Sequence, residues 1–131
     1  MSKITITIII IFSFLSCSSN KEKEISVVVK TLNVFDGSQT SDIAFSNRIM
    51  TVLEATQRVT VVETHPVGKY VFVTGIDNIK GIRGEKAWYY KINGKSVNKL
   101  AINKFISQND TILWIYKKDV CSASVDSCKQ K

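Results

Sequence analysis

Apolar and polar positions alternate over most of residues 25–117, and one stretch changes to a helical period. Residues 25–35, ISVVVKTLNVF, are rich in β-branched and aromatic side chains and read as a strand. Asp36-Gly37 is a turn signal between it and a weaker strand at about 39–45, which predicts an opening hairpin. Ser46 can cap a helix, and Ile49, Val52, Leu53 and Thr56 then fall at i, i+3, i+4 and i+7. The spacing predicts a helix over about 47–57 with that face on a sheet. Residues 58–63 alternate as a short strand, ended by the turn cluster Thr64-His65-Pro66-Val67-Gly68. YVFVTGI at 70–76 is a strand, 77–86 a basic loop, and AWYYKIN at 87–93 a strand closed by Asn93-Gly94. A second arm follows near Lys95–Asn98. Leu100–Ser107 connects to a turn at Gln108-Asn109-Asp110, and TILWIYK at 111–117 is the last clear strand. The order β-β-α-β-β-β-β predicts an α+β fold, a mixed sheet with one helix packed across it. A β-grasp-like (ubiquitin-like) arrangement fits that order.

The apolar run at residues 4–15, ITITIIIIFSFL, stands apart from this pattern. At twelve residues it is too short to span a bilayer, which takes about 20. With Lys3 before it, the run fits the core of an export signal. Ser16-Cys17 at its end resembles the bacterial lipobox, in which the Cys receives a diacylglycerol after cleavage just before it. Phe14 stands where an aliphatic residue is usual. The organisation expected is a lipoprotein signal peptide at 1–16, a polar tether at 17–24 and one domain at 25–128. With Cys17 as lipid anchor, Cys121 and Cys128 remain as a pair. In an oxidising compartment they are expected to form a disulfide, worth roughly 2–3 kcal/mol for so short a loop; two free thiols are the alternative. Ser18 lacks the Asp that retains many lipoproteins at an inner membrane, so an outer membrane is favoured where the cell has one.

Composition narrows the chemistry. The chain has 131 residues, room for one domain, and its 44% hydrophobic content is too apolar for disorder. The net charge of +7 is concentrated: residues 80–118 hold nine Lys and Arg against Glu85 and Asp110. Such a surface favours an anionic ligand or envelope surface, or is simply solvated lysine. An exported location argues against nucleic acid. One His, at residue 65, no GxSxG elbow, no P-loop and no paired carboxylates leave no catalytic constellation, so no enzyme, metal or cofactor is expected.

The aromatics are the remaining candidates. On one strand Trp88, Tyr90 and Ile92 share a face and Tyr89 and Lys91 share the other; on the last strand Ile112, Trp114 and Tyr116 share a face. Each is either core or a flat surface for a ligand ring.

Three segments carry a family resemblance: FVTGIDNIKG (72–81), WYYKINGK (88–95) and NDTILWIY (109–116), in this order, with the VLEA helix (52–55). Together they resemble the small bacterial domain related to the C-terminal domain of transcobalamin and intrinsic factor. Trp88, Tyr89, Tyr90, Asn93, Gly94, Asp110, Trp114 and Tyr116 fill its motif positions, and Asn109 stands where Gly is usual. The resemblance covers about residues 26–117. It implies a β-grasp-like fold and descent from a module that contacts cobalamin. In the animal carriers this domain closes over the corrinoid together with a helical barrel. The expectation is a monomeric, lipid-anchored envelope module that binds a small ligand, with a corrinoid as first guess. Its ligand-binding candidates are Trp88, Tyr89, Tyr90, Asn93, Trp114 and Tyr116. The alternative is a protein or glycan interaction module, such as an accessory subunit of an envelope complex.

Overall fold

The computed structural model describes residues 22–120. The expected signal segment, Cys17, most of the tether and the Cys121–Cys128 pair lie outside the described residues.

Two strands open the domain, β1 (Ile25–Asn33) and β2 (Gln39–Ser46), paired antiparallel through the expected Asp36-Gly37 turn, where Gly37 has φ 74°. A helix follows, α1 (Val52–Val59). Next come β3 (Val62–Val67), β4 (Tyr70–Ile76) and the two-residue β5 (Ile79–Lys80). The chain ends its regular structure with β6 (Lys86–Ile92), β7 (Lys95–Ser96) and β8 (Thr111–Lys118). The main sheet has the order β2-β1-β8-β6-β7, and β3-β4-β5 form a second sheet. β8 runs parallel to β1 and antiparallel to β6. Two antiparallel hairpins joined through the central β8, with a helix across one face, make the expected mixed-sheet α+β, β-grasp-like architecture.

The pleat sorts the main sheet into two faces. Val27, Val29, Ala44, Ile112, Trp114 and Tyr116 point inward and are buried, while Lys30, Ile43 and Phe45 point the other way and are exposed. The helix lays Val52, Ala55 and Thr56 on the inner face. Its contact with the sheet is also polar: the Trp114 indole N–H donates to the Thr56 hydroxyl at 2.8 Å, which donates to the Val52 carbonyl at 2.8 Å. Both groups are buried, so each needs the other.

The helix starts later than its apolar spacing predicts. Ser46 ends β2, its hydroxyl accepting from the Arg48 N–H; the true cap is Thr51, whose hydroxyl accepts from the Glu54 N–H at 3.2 Å. Residues 50–53 are held instead by the connecting segment. Ile106 N–H bonds to Met50 C=O, Val52 N–H to Lys104 C=O, and Leu53 N–H to Ala101 C=O. Ile49 therefore precedes the helix and is 60% exposed, while Met50 is fully buried.

Two turn expectations also change. Thr64–Val67 is strand, not turn: β3 pairs with β4 through Val67↔Tyr70, and the reversal is Gly68-Lys69. Pro66 is tolerated because β3 is an edge strand, where a missing N–H disturbs no second neighbour. Within the expected loop 77–86, Asp77 (φ 53°) and Asn78 (φ 61°) make a two-residue hairpin turn into β5.

Replacing Thr56 by Val keeps the volume but leaves the Trp114 N–H without an acceptor. The expected loss is about 1–3 kcal/mol, read as a lower urea midpoint at unchanged slope. Thr51→Ala is expected to lose about 1 kcal/mol through the cap. Unchanged stability of Thr56→Val would show that the helix is held by apolar contact alone.

Candidate functional site

The six aromatic and polar candidates separate by burial. Trp114 (2% exposed), Tyr116 (5%) and Trp88 (8%) are core residues whose polar atoms are taken. Trp88 donates its indole N–H to the Ile79 carbonyl at 2.8 Å, and the Tyr116 hydroxyl donates to the Lys80 carbonyl at 2.7 Å. Those two bonds fasten the second sheet to the inner face of the first. The rings meet at a tilt, with centres 5.0 Å apart for Trp88 and Tyr116 and 5.2 Å apart for Tyr90 and Trp114.

Asn93 has a structural part in the hairpin. At φ 51° it begins the two-residue turn with Gly94 (φ 79°). Its side chain then accepts from the Thr111 N–H at 2.9 Å and donates to Asp110 at 2.9 Å. Asp110 in turn accepts from the Ser107 N–H. This ties the β6–β7 hairpin to the start of β8, which is why an Asn-Gly and an Asn-Asp fall together in space.

Tyr89 and Tyr90 are half-buried and belong to a cleft. Its volume is about 680 Å³. Val71 and Val73 of β4 form one wall, and Val97, Lys99 and Leu100 beyond β7 form another. The floor is β6, from Ala87 to Lys91, with Trp114 behind it. The cleft lies between the two sheets, which are joined at one end. At the meeting point Gly81 N–H bonds to Thr74 C=O and Ile82 pairs with Lys86. A Cβ on Gly81 would stand 3.2 Å from the Lys86 oxygen and 3.3 Å from that of Thr74, so only glycine lets the sheets close here without displacement. A second hollow, beside Thr31, Thr40 and Asp42, holds about 110 Å³, room for a few waters only.

The cleft is apolar in its depth and cationic at its rim. Arg83, Lys91, Lys99 and Lys117 line it, against Asp119. The Asp119 carboxylate accepts from the Gly84 N–H and the Tyr89 hydroxyl. Lys117 lies 4.9 Å from the Tyr89 ring centre, so the cation and the ring share one face. Of the nine cations in 80–118, Lys80 alone pairs with a carboxylate among the described residues, at 3.7 Å from Glu63. The Tyr90 hydroxyl donates to the Lys99 carbonyl and pins the segment after β7 over the floor. Burial pushes the Tyr90 phenol up to about 12 and raises that of Tyr116. Tyr90 is therefore a neutral donor at any physiological pH. No group of three or more His, Cys, Asp or Glu able to hold a metal occurs among the described residues. No described helix is long and apolar enough to cross a membrane.

The family model described as "Domain of unknown function (DUF4430)" matches residues 48–118, and the chain belongs to that family. Among the solved structures that share its fold are two of note. One is a conjectured metal-binding protein from Ruminococcus gnavus, at TM-score 0.59 and 16% identity, covering 72% of this chain and 98% of that one. The other is haptocorrin in complex with Cbi, at TM-score 0.61 and 11% identity, covering 77% of this chain and 27% of that one. No curated protein matches the sequence. The resemblance to the transcobalamin-type domain thus holds at the level of fold.

The signal missed in the sequence was the cleft's second wall. Val71 and Val73 sit on an ordinary alternating strand, and nothing local tells that β4 leans over β6.

The raised Tyr90 value carries a sign. The unfolded phenol ionises near 10 and the folded one near 12, so the unfolded state loses its proton first. The contribution of Tyr90 to stability is expected to be constant below pH 10 and to be lost as pH rises from 10 towards 12. Absorbance at the phenolate band should show a late-titrating tyrosine that Tyr90→Phe removes. Persistence of that late step in Tyr90→Phe would assign it to Tyr116.

Proposed function

We propose that this protein is a lipid-anchored envelope module that binds a small ligand in the cleft between β4, β6 and residues 97–101. The carrying observation is the cleft itself: about 680 Å³, apolar within, cationic at the rim and floored by half-buried tyrosines. Ligand pockets are commonly 300–1,000 Å³ with this make-up. A corrinoid is the first candidate ligand, supported by the fold shared with haptocorrin, which was solved with Cbi. A cleft of this size would seat an edge or side group of a corrinoid rather than enclose it. The work proposed is retention, for which the cleft offers apolar walls and a cationic rim. Cys17 would hold the module at the membrane and the short tether would keep it close.

Calorimetric titration of the full chain in detergent with cobalamin and with cobinamide tests the ligand. Binding is expected, with affinity lowered at least tenfold by Val97→Trp, which fills the cleft. Absence of heat at high micromolar corrinoid would remove that ligand. Palmitate labelling tests the anchor: Cys17→Ser is expected to abolish incorporation, and unchanged labelling would refute it.

A further inference from the structure

β6 has an open edge, and its main chain says what fits there. Lys86 exchanges both main-chain bonds with Ile82, at 2.7 and 2.9 Å, on the side away from β8. The Asn93 N–H bonds the other way, to the Thr111 carbonyl of β8 at 2.9 Å. Main-chain groups of an antiparallel strand alternate in direction. Residues 88 and 90 therefore aim their N–H and C=O groups away from β8, as Lys86 and Ile92 do. β7 takes up only Lys91 and Ile92, and Ile82 takes up only Lys86. Between them, among the described residues, no strand pairs with Trp88 or Tyr90 on that side. The gap is residues 87–90, about 13 Å at 3.3 Å per residue. The cleft runs along it, since five successive residues of β6 line it, where a sheet face would show alternate ones.

An unpaired edge of this kind is a template for another strand. We infer that the open edge of β6 takes an extended segment of a partner protein, added as a short strand with apolar and acidic residues in alternation. The alternation follows from the walls. A strand laid on Trp88 and Tyr90 would turn every second side chain towards Val71, Val73 and Val97. The others would turn to the opposite face, where Lys91 and Lys117 lie. Acidic residues there complement a rim whose described carboxylate, Asp119, already accepts from Gly84 and Tyr89. The residues beyond Val120 are a poorer occupant, because CSASVDSCKQK carries two lysines against one aspartate. The inference goes beyond the small-ligand reading and stands without it, although the two occupants would exclude each other.

The test uses the nitrogen-15-labelled full chain in detergent and three blocked hexapeptides. One alternates valine and glutamate, one alternates valine and lysine, and one is the first with the amides facing β6 N-methylated. The valine–glutamate peptide is expected to slow exchange of the Trp88 and Tyr90 amide hydrogens at least tenfold. The lysine peptide should bind at least tenfold more weakly, and the N-methylated peptide should give no protection. Cobinamide, if it binds, should shift cleft resonances without that protection. No protection at millimolar valine–glutamate peptide would overturn the inference, as would equal binding of the N-methylated peptide. Protection already present without peptide, and lost on truncation after Val120, would overturn it in favour of the chain's own tail.

Discussion

The parallel pairing of β1 with β8 is the constraint on which the domain rests. It places β8 at the centre of the main sheet, so Ile112, Trp114 and Tyr116 are covered by strands on both sides and by packing above. Each of those residues then anchors a different layer. Ile112 meets the β1 core residues Val27 and Val29. Trp114 reaches the helix through Thr56, and Tyr116 reaches the second sheet through the Lys80 carbonyl. One strand thus fixes the position of the helix and of the β3–β5 sheet together. The cleft is the space these two coverings leave between them over β6.

The site also shows why large aromatics divide between packing and contact. Trp88, Trp114 and Tyr116 bring a polar atom that finds a carbonyl or hydroxyl inside the fold, and so they can be buried at no cost in lost hydrogen bonds. Tyr89 and Tyr90 also use their hydroxyls, with Asp119 and Lys99, but at the boundary between core and solvent. Their rings are left to shape the floor. The cleft is shaped less by any one of these side chains than by the junction of the two sheets near Gly81.

Strand positions and hairpin turns were legible because period-two alternation and Asn-Gly or Asp-Gly pairs act over a few residues. The strand at 70–76 and the Asn93-Gly94 turn hold to the residue. The helix start was not read, because Ser46 and Thr51 are both capable caps and residues 47–50 have no helix-breaking residue. Main-chain bonds from residues 101–106 decide between them, and those span about fifty residues. The Thr51-Val-Leu-Glu54 spacing, a capping-box pattern, was the local clue. Pro66 misled in the same way: proline ends a strand only where its missing N–H has a neighbour to fail. The aromatics on β6 and β8 were correctly assigned to shared faces. Which face a second sheet would cover depended on β4 folding back, which no local pattern records.

The placement of β8 has a further consequence for how the protein is made. β1 and β8 touch across roughly eighty residues of chain, with Val28 against Thr111 and Asn33 against Tyr116. While the ribosome is still short of Thr111, the two outer hairpins have no central strand to join and the inner aromatics have no cover. Contacts this distant slow folding. Until that last strand is available, the two hairpins cannot be joined into one sheet. Folding of the whole domain is therefore a late event, which begins only once nearly all of the chain has been made.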